Sequence, residues 1–402
     1  MADIPVWYKQ TEVGIIPNDW EVKCFWNIWD VLMCKRIMKH QTSTHWEIPF
    51  YKISTFWNTA DVFIDRNLFE EYKRKYSYPK KWDILISAAW TIWRTVIFDG
   101  KNSYFQDSNI VRINNKETLV LNSYLYYIYK IVKWKTEDWG IVLRLYNQNL
   151  KDTTFVCPSN TDEQQAIATT LSDMDELISS LDELIEKKKN IKKWAIQKLL
   201  SPKENREHKK LWDICNFIKW RWLSKDKIVD NWENECLLYW ELFTTYSYII
   251  EKIESRTNSL EGNPSKEWDV LIPGSTTTVW IDLAKASALL KEWVLLGWDI
   301  NILRRKNKSE YNSAFLAYYL TEQQKYNIAM QAQWITIIHL YWRNLEDIDV
   351  YMPKDIEEQN SIVAILSDMD KEIEALEEKK AKYEQIKQWA MQKLLTGKIR
   401  LV

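Results

Sequence analysis

Residues 162–200, DEQQAIATTLSDMDELISSLDELIEKKKNIKKWAIQKLL, decide the fold because the chain contains them twice. The second copy is residues 357–395, EEQNSIVAILSDMDKEIEALEEKKAKYEQIKQWAMQKLL, and matched positions such as Asp173 and Asp368 lie 195 residues apart. Self-similarity at a fixed offset indicates that one structural unit has been duplicated. The sequence therefore predicts two related halves, each of which ends in the repeated segment.

Both repeated segments have the hydrophobic periodicity of long helices. Apolar residues recur at alternating steps of four and three, the spacing of helices that pack on one another. A helix of about 39 residues is roughly 58 Å long at 1.5 Å per residue. We predict an antiparallel coiled coil, because the order globule, helix, globule, helix then places the globules at opposite ends. The alternative is two amphipathic helices packed on their own globules. The predicted helix-pairing residues are Leu171, Met174, Ile178, Leu181, Leu366, Met369, Ile373 and Leu376.

The segments that precede the helices contain short β-rich runs, such as residues 82–87 in the first half and 268–272 in the second. A helix-like stretch follows these runs in each half. The predicted fold class is α+β, with two domains of mixed α/β structure separated by the two long helices. The predicted boundaries are 1–157 for the first domain, 158–201 for the first helix, 202–352 for the second domain and 353–402 for the second helix.

Composition limits the classes of function. With 402 residues and 46% hydrophobic content, the chain can bury several cores. No apolar run is long enough to span a bilayer and the start lacks the pattern of a signal peptide, so we expect a cytoplasmic protein without a membrane partner. Five scattered cysteines indicate neither a disulfide framework nor a metal site. The net charge of -1 means that any DNA contact comes from local basic patches or is shared with a partner.

The chain has 24 tryptophans but only 7 glycines. An ordinary protein of this length has about 7% glycine, or roughly 28 residues. Several tryptophans, including Trp82, Trp90, Trp93, Trp220 and Trp222, occupy positions that resemble glycine positions in turns. Our hypothesis is that the gene comes from a lineage that decodes UGA as glycine. The alternative is a protein that is truly rich in tryptophan, with indoles in cores or stacking positions.

The order of a domain, the repeated helix, a second domain and the helix again resembles the specificity subunit of type I restriction–modification systems over essentially the whole chain. Residues 12–20, EVGIIPNDW, and 394–401, LLTGKIRL, are similar to the opening and closing segments of that family. Where the family usually has glycine, this chain has tryptophan at five positions, which fits the decoding hypothesis. These positions are Trp82, Trp90, Trp93, Trp194 and Trp389.

The resemblance implies a non-catalytic, DNA-binding subunit without a cofactor. Each domain would be a target-recognition domain that binds one half of a split double-stranded DNA target, and the helices would hold the halves at a fixed separation. The helices would also dock two modification methyltransferase subunits, and restriction (motor-nuclease) subunits would complete the complex. The exposed edges of the helices, including Asp173, Asp175, Asp368 and Asp370, are the predicted surfaces for these partners.

Two alternatives from other classes stay open at this stage. One is a coiled-coil scaffold without DNA recognition, and the other is a nuclease with an unrecognised site, for which Asp65 and the run Glu71-Tyr72-Lys73 are weak candidates. The sequence contains no Pro-Pro pair for a methyltransferase loop and no phosphate-binding Walker motif. We therefore expect no catalytic residues in this chain.

Candidate DNA contacts follow from chemistry alone, because basic and hydroxyl side chains beside turns can enter a groove. In the first domain these residues are Lys35, Arg36, Lys39, Ser87, Thr91 and Arg94. In the second domain they are Lys219, Arg221, Lys225, Ser275, Thr276, Thr277 and Thr278.

Overall fold

A computed structural model describes residues 5–25, 29–56, 58–87, 94–107, 109–133, 153–218, 221, 223, 225–229, 233–276, 279–307, 310–331, 333–334 and 338–401. The chain forms two compact units, one of Met1–Asp182 with Glu378–Val402 and the other of Glu183–Glu377. Each unit therefore contains one globular part and portions of both long helices. The predicted domain boundaries stay a prediction.

The first unit combines a four-stranded sheet with smaller sheets. Its strands are β1 (Tyr8–Thr11), β2 (Gly14–Pro17), β3 (Trp20–Cys24), β4 (Trp29–Leu32), β5 (Ile48–Tyr51), β6 (Val62–Ile64), β7 (Ile84–Ser87), β8 (Thr95–Ile97), β9 (Tyr104–Phe105), β10 (Ile110–Asn115) and β11 (Thr154–Pro158). Its helices are α1 (Arg66–Lys75), α2 (Asn122–Ile131), the beginning of α3 (Thr161–Leu200) and the end of the last long helix. The large sheet has the order β4-β10-β7-β8, β3 pairs with β11, β1 pairs with β2, and β5 lies between β6 and β9.

The second unit repeats this plan. Its strands are β12 (Arg206–Lys210), β13 (Cys215–Ile218), β14 (Asn234–Leu237), β15 (Ile249–Ile250), β16 (Arg256–Thr257), β17 (Asn263–Pro264), β18 (Asp269–Pro273), β19 (Ser275–Thr276), β20 (Ser287–Leu289), β21 (Leu295–Leu296), β22 (Ile300–Arg305), β23 (Gln333–Trp334), β24 (Ile338–His339) and β25 (Asp349–Pro353). Its helices are α4 (Leu211–Ile214), α5 (Glu241–Thr244), α6 (Ser313–Glu322), α7 (Lys325–Met330), the end of α3 and the beginning of α8 (Ile356–Leu394). The sheets have the orders β13-β22-β18-β20-β15, β12-β25, β16-β14-β21-β17 and β19-β24-β23.

The two globular parts share the topology of four strands in their main sheets. The sheet order β4-β10-β7-β8 of the first corresponds to β13-β22-β18-β20 of the second, and both use antiparallel pairs throughout. In each, an early strand pairs with the strand that leads into the long helix, β3 with β11 and β12 with β25. The helices α2 and α6 occupy equivalent places before those last strands. The predicted α+β class and the duplication are confirmed.

The long helices run antiparallel within each unit. In the first unit, Lys387 pairs with Asp175 and Lys380 with Asp182, so seven residues forward on α3 correspond to seven residues back on α8. In the second unit, Lys188 pairs with Glu372 at 2.6 Å and Lys192 pairs with Asp370. The predicted antiparallel arrangement is therefore confirmed inside each unit.

Four of the predicted helix-pairing residues, Leu171, Met174, Leu366 and Met369, pack in cores that include residues of the other long helix. Leu171 belongs to a core with Ala390 and Met391 of α8, and Leu366 belongs to a core with Ala195 and Ile196 of α3. Leu171 and Leu366 are fully buried, and Leu181 and Ile373 are also buried. Met174, Ile178, Met369 and Leu376 are half-buried. In the part of the chain that the structure describes, no helix is both long and apolar enough to cross a bilayer.

Tryptophan occupies two equivalent turns that favour glycine. Asp83 N donates to Lys80 O at 2.9 Å and Asp269 N donates to Lys266 O at 3.1 Å, so Trp82 and Trp268 are each the third residue of a four-residue turn. Their φ angles are 74° and 70°, and Trp293 has a φ of 68°. A positive φ at the third position is the geometry in which turns select glycine, and it strains a bulky residue. These turns support the decoding hypothesis.

We expect Trp82→Gly to raise the free energy of unfolding by about 1 kcal/mol relative to Trp82→Ala, because alanine keeps the unfavourable Cβ at positive φ. The same difference is expected at Trp268. Urea titration measures both differences, and the comparison with alanine removes the loss of the indole from the result. If glycine gives no advantage over alanine at either site, the turns do not require glycine.

Mass spectrometry of the native protein tests the decoding hypothesis directly, since tryptophan in the peptides that cover these positions refutes it.

Candidate nucleic-acid interface

A basic groove opens on the surface of the first globular part. It has a volume of about 480 Å³, and its lining includes Arg36, Lys39, Lys52, Gln106 and Asn109. Two of these residues, Arg36 and Lys39, are among the DNA contacts that the sequence predicts. Basic groups neutralise phosphates, and amide side chains pair with the edges of adenine. The groove therefore combines the two kinds of contact that a DNA-binding surface needs.

Two basic side chains of this groove form ion pairs near the protein surface. Arg36 Nε lies 2.7 Å from Asp107 Oδ2, but the arginine side chain is 65% exposed. Lys52 Nζ lies 2.7 Å from Asp61 Oδ2, also near the surface. Exposed ion pairs contribute little to stability, about 0–1 kcal/mol, so a phosphate can replace the carboxylate at low cost. Lys35, which precedes Arg36 in the sequence, has its Nζ 5.2 Å from the centre of the Tyr76 ring.

The second globular part has basic residues at the equivalent turn. A 3-10 helix at Lys39–Gln41 follows β4, and a 3-10 helix at Lys225–Lys227 follows β13. Arg221 lies 186 residues after Lys35, and Lys225 lies 186 residues after Lys39. Both second-copy side chains are exposed, and Lys225 Nζ lies 5.6 Å from the Trp240 ring centre. The duplication thus presents a basic turn in the same place on each globular part.

Comparison with known families agrees with this duplicated arrangement. Residues 17–192 and 203–388 each match the family described as the type I restriction modification DNA specificity domain. The chain belongs to this family. It is therefore a type I specificity subunit with two DNA-recognition domains, and specificity subunits are the non-catalytic components of type I restriction–modification systems.

Individual relatives give the same assignment for this specificity subunit. A type I restriction enzyme specificity subunit of Haemophilus influenzae is 58% identical over 153 residues, which cover 38% of this chain and 40% of the relative. The MjaX specificity subunit of Methanocaldococcus jannaschii is 26% identical over 98% of this chain and 97% of its own length. The chain is therefore strongly similar to one relative over a short segment and weakly similar to another over almost its whole length.

Solved structures share the fold of this specificity subunit. The S subunit of M. genitalium superposes with a TM-score of 0.61 at 16% identity, over 94% of this chain and 96% of that one. A chain solved in work on complex assembly in the type I restriction–modification system gives a TM-score of 0.56 at 11% identity, over 96% of this chain and 99% of that one. At these identities the likeness shows the fold alone.

Several predicted DNA contacts of the specificity subunit are buried. Ser87 is 0% exposed, and its Oγ accepts a hydrogen bond from Arg94 N at 3.1 Å. Ser275 and Thr276 form β19 and are 3% and 1% exposed. A buried hydroxyl cannot reach a base edge unless the strand moves, so the burial of these three residues does not favour contact with DNA. Arg94 itself is exposed.

Four further predicted contacts of the specificity subunit lie outside the described residues, namely Thr91, Lys219, Thr277 and Thr278. Two predicted partner-facing carboxylates, Asp175 and Asp370, are engaged within the subunit by lysines of the other long helix. They are half-buried, whereas Asp173 and Asp368 are exposed, so the second pair is the more accessible to a partner.

The weak nuclease pattern has a structural explanation. Asp65 is the N-cap of α1, and its carboxylate accepts hydrogen bonds from Asn67 N at 2.8 Å and Leu68 N at 3.3 Å. Glu71 pairs with Lys75 one helical turn away at 2.8 Å. Lys73 Nζ lies 5.1 Å from the Phe69 ring centre. Among the described residues, no group of three or more potential ligands is placed to hold a metal ion.

Sequence reasoning missed two buried ion pairs under the tryptophan turns. Arg112 Nη1 lies 2.6 Å from Asp83 Oδ2, and both side chains are nearly buried. Arg304 donates to Asp269 from Nε at 2.9 Å and from Nη2 at 2.7 Å. Asp83 and Asp269 occupy matching positions after Trp82 and Trp268, which is the one signal that the sequence offered.

Proposed function

We propose that this specificity subunit binds a split double-stranded DNA target, one half-site with each recognition domain. The observation that carries the proposal is the basic turn that follows β4 in one domain and β13 in the other. Two copies of one DNA-binding surface on a single chain suit two half-sites on one duplex. The groove beside Arg36 and Lys39 supplies amide groups suited to base edges in the first half-site.

The partners follow from the duplication. A chain with two similar halves presents two similar surfaces, which suits two identical subunits. We propose that these are modification methyltransferase subunits, and that restriction (motor-nuclease) subunits join them in the cytoplasm. The long helices would act as the spacer that sets the gap between the half-sites. The exposed Asp173 and Asp368, at matched positions of the repeat, are the proposed contacts with the methyltransferase subunits.

The decisive experiment is co-expression with the methyltransferase subunit of the same gene cluster, followed by mapping of methylated bases in the host DNA. Adenine methylation at a split motif with a fixed gap, lost when the specificity subunit is omitted, supports the proposal. A stable complex that methylates no split motif contradicts it. That second outcome favours a scaffold without DNA recognition.

We expect Lys39→Ala with Lys225→Ala to weaken DNA binding by the complex almost equally for all sequences. Each lost phosphate contact lowers the slope of log affinity against log salt by about 0.9, so the double variant is expected to lose about 1.8. Salt titrations of binding measure this slope. Lys101→Ala is the matched control, because its side chain is 88% exposed and removes one charge from outside the groove. An unchanged slope in the double variant excludes these lysines from the interface.

A further inference from the structure

A carboxylate on the first long helix joins three elements of the first unit. Tyr127 Oη, from α2, donates a hydrogen bond to Asp175 Oδ2 at 2.9 Å. Asp175 Oδ1, from α3, accepts a charged hydrogen bond from Lys387 Nζ of α8. One side chain of the long helix therefore connects the recognition domain to both members of the helix pair.

The second unit contains the same arrangement with the helices exchanged. Tyr318 Oη, from α6, donates to Asp370 Oδ2 of α8 at 2.6 Å, and Lys192 Nζ of α3 donates to Asp370 Oδ1. Asp175 matches Asp370, and Lys192 matches Lys387, at the 195-residue offset of the repeat. We call the two sets, Tyr127-Asp175-Lys387 and Tyr318-Asp370-Lys192, the junction triads.

The junction triads lie in partly shielded surroundings. The side chains of Lys387 and Lys192 are 15% and 12% exposed. Lys192 Nζ also lies 4.5 Å from the centre of the Tyr248 ring. Solvent and salt screen such pairs less than surface pairs, and hydrogen bonds to charged groups are stronger than neutral ones. The triads are therefore suited to hold a fixed geometry.

We propose that the junction triads are positioning residues that fix each recognition domain on the helix pair and so restrict the gap between the half-sites. This inference rests on the proposed binding of a split target. One base pair adds about 3.4 Å of length and about 35° of rotation to the gap. A domain that is held through three elements resists that rotation, whereas a loosened domain accommodates it.

The test compares Tyr127→Phe with Tyr318→Phe in one chain against a matched control, Tyr126→Phe with Tyr326→Phe. The control hydroxyls belong to neither triad, and Tyr326 is 68% exposed. The complex with its methyltransferase subunit is assayed on targets with the native gap and with gaps one base pair shorter and longer. The triad variant loses two hydrogen bonds to charged groups, and each is worth about tenfold, so we expect its preference for the native gap to fall by about a hundredfold. The half-site sequences that it recognises are expected to stay unchanged. The control is expected to keep the preference.

Lysine variants separate positioning from general stability. Lys387→Met with Lys192→Met is expected to relax the gap preference, and arginine at both positions is expected to restore it. If the triad variants melt at a lower temperature but discriminate gaps like the wild type, the inference is wrong and the triads serve stability alone.

Hydrogen exchange in the full chain tests the junctions without DNA. Tyr127→Phe is expected to speed amide exchange in α2 (Asn122–Ile131), and Tyr126→Phe is not. If the wild-type complex methylates no split motif, the proposed function fails. Hydrogen exchange still shows whether the triad attaches α2 to the helix pair. Unchanged exchange in α2 overturns the inference, while faster exchange supports the attachment of the domain by the triad.

Discussion

Replacing Arg304 with methionine is expected to lower the free energy of unfolding of the second unit by about 3–5 kcal/mol. Asp269 is 1% exposed and accepts hydrogen bonds from Arg304 Nε at 2.9 Å and Nη2 at 2.7 Å. Among the residues that the structure describes, its other hydrogen-bond donor is Lys266 N, at 2.9 Å. Removal of the guanidinium therefore leaves a buried negative charge with one backbone donor, which is among the costliest single changes in a protein.

Urea titration measures the loss, and hydrogen exchange of β18 and β22 locates it in the second unit. The double variant Arg304→Met with Asp269→Asn is expected to be more stable than Arg304→Met alone, because the unpaired charge is gone. Arg66→Met is the surface control, since Arg66 and Glu47 form an exposed pair at 2.7 Å, and its effect is expected within about 0.5 kcal/mol. A loss at Arg304 no larger than that at Arg66 contradicts a role for the buried pair.

The helices were predictable because their interactions are local and periodic. The four-and-three spacing of apolar residues gave the length of α3 and α8, and the repeat gave the duplication. The antiparallel direction followed from the order of the elements along the chain. Pairing of Asp175 with Lys387 was not predictable in the same way, because it requires the axial register of two helices that are far apart in the sequence.

The buried ion pairs escaped prediction because their arginines do not follow the repeat. Arg112 lies opposite Leu85 in the first sheet, whereas Ile302 takes the equivalent place opposite Leu271 in the second. Arg304 supplies its guanidinium from two residues further along β22. Residues two apart on a strand face the same side, so either position can reach the turn aspartate. A comparison at one fixed offset cannot find such a substitution.

The burial of the predicted hydroxyl contacts could not be read from the sequence for a different reason. Ser87, Ser275 and Thr276 lie near turns, but each belongs to a strand that is buried. Small polar side chains at strand ends often satisfy backbone groups, as Ser87 does for Arg94 N. Sequence alone does not distinguish this role from an exposed one. The exposure of the predicted lysines is easier to predict, because a long charged side chain is seldom buried. Lys39 and Lys225 are both exposed.

Replacing Arg400 with methionine is expected to lower the free energy of unfolding of the first unit by about 2–4 kcal/mol. Arg400 Nη2 donates to Glu163 Oε2 at 2.8 Å and to Asp19 Oδ2 at 2.8 Å. Glu163 is 1% exposed and also accepts a hydrogen bond from Trp20 Nε1 at 3.3 Å. The arginine thus attaches the residues around position 400 to Asp19, just before β3, and to Glu163 at the start of α3, and its loss leaves a buried carboxylate.

The turn at Gly397 packs closely against Pro17 and adds to this attachment. The neighbouring Lys398 provides the control for the Arg400 variant. Gly397 has a φ of 69°, and a Cβ there would lie 2.5 Å from Pro17 Cδ, so only glycine allows the close approach. Tyr8 Oη also donates to Gly397 O at 3.1 Å. Lys398→Met removes an exposed charge from the same segment and is expected to change stability by less than about 0.5 kcal/mol. Equal effects at Lys398 and Arg400 contradict a specific attachment.

The pH dependence of the Arg400→Met effect has a defined sign. The hydrogen bond from Arg400 holds the pKa of Asp19 below its ordinary value of 3.8. A carboxyl whose pKa is lower in the folded state stabilises the fold above its unfolded pKa, and this contribution is lost as the pH falls through the folded value. We therefore expect the difference between wild type and variant to be constant near neutral pH and to narrow below about pH 3.8. Unfolding free energies measured from pH 7 to pH 3 test this, and a difference that widens toward acid shows that Asp19 is not held by Arg400.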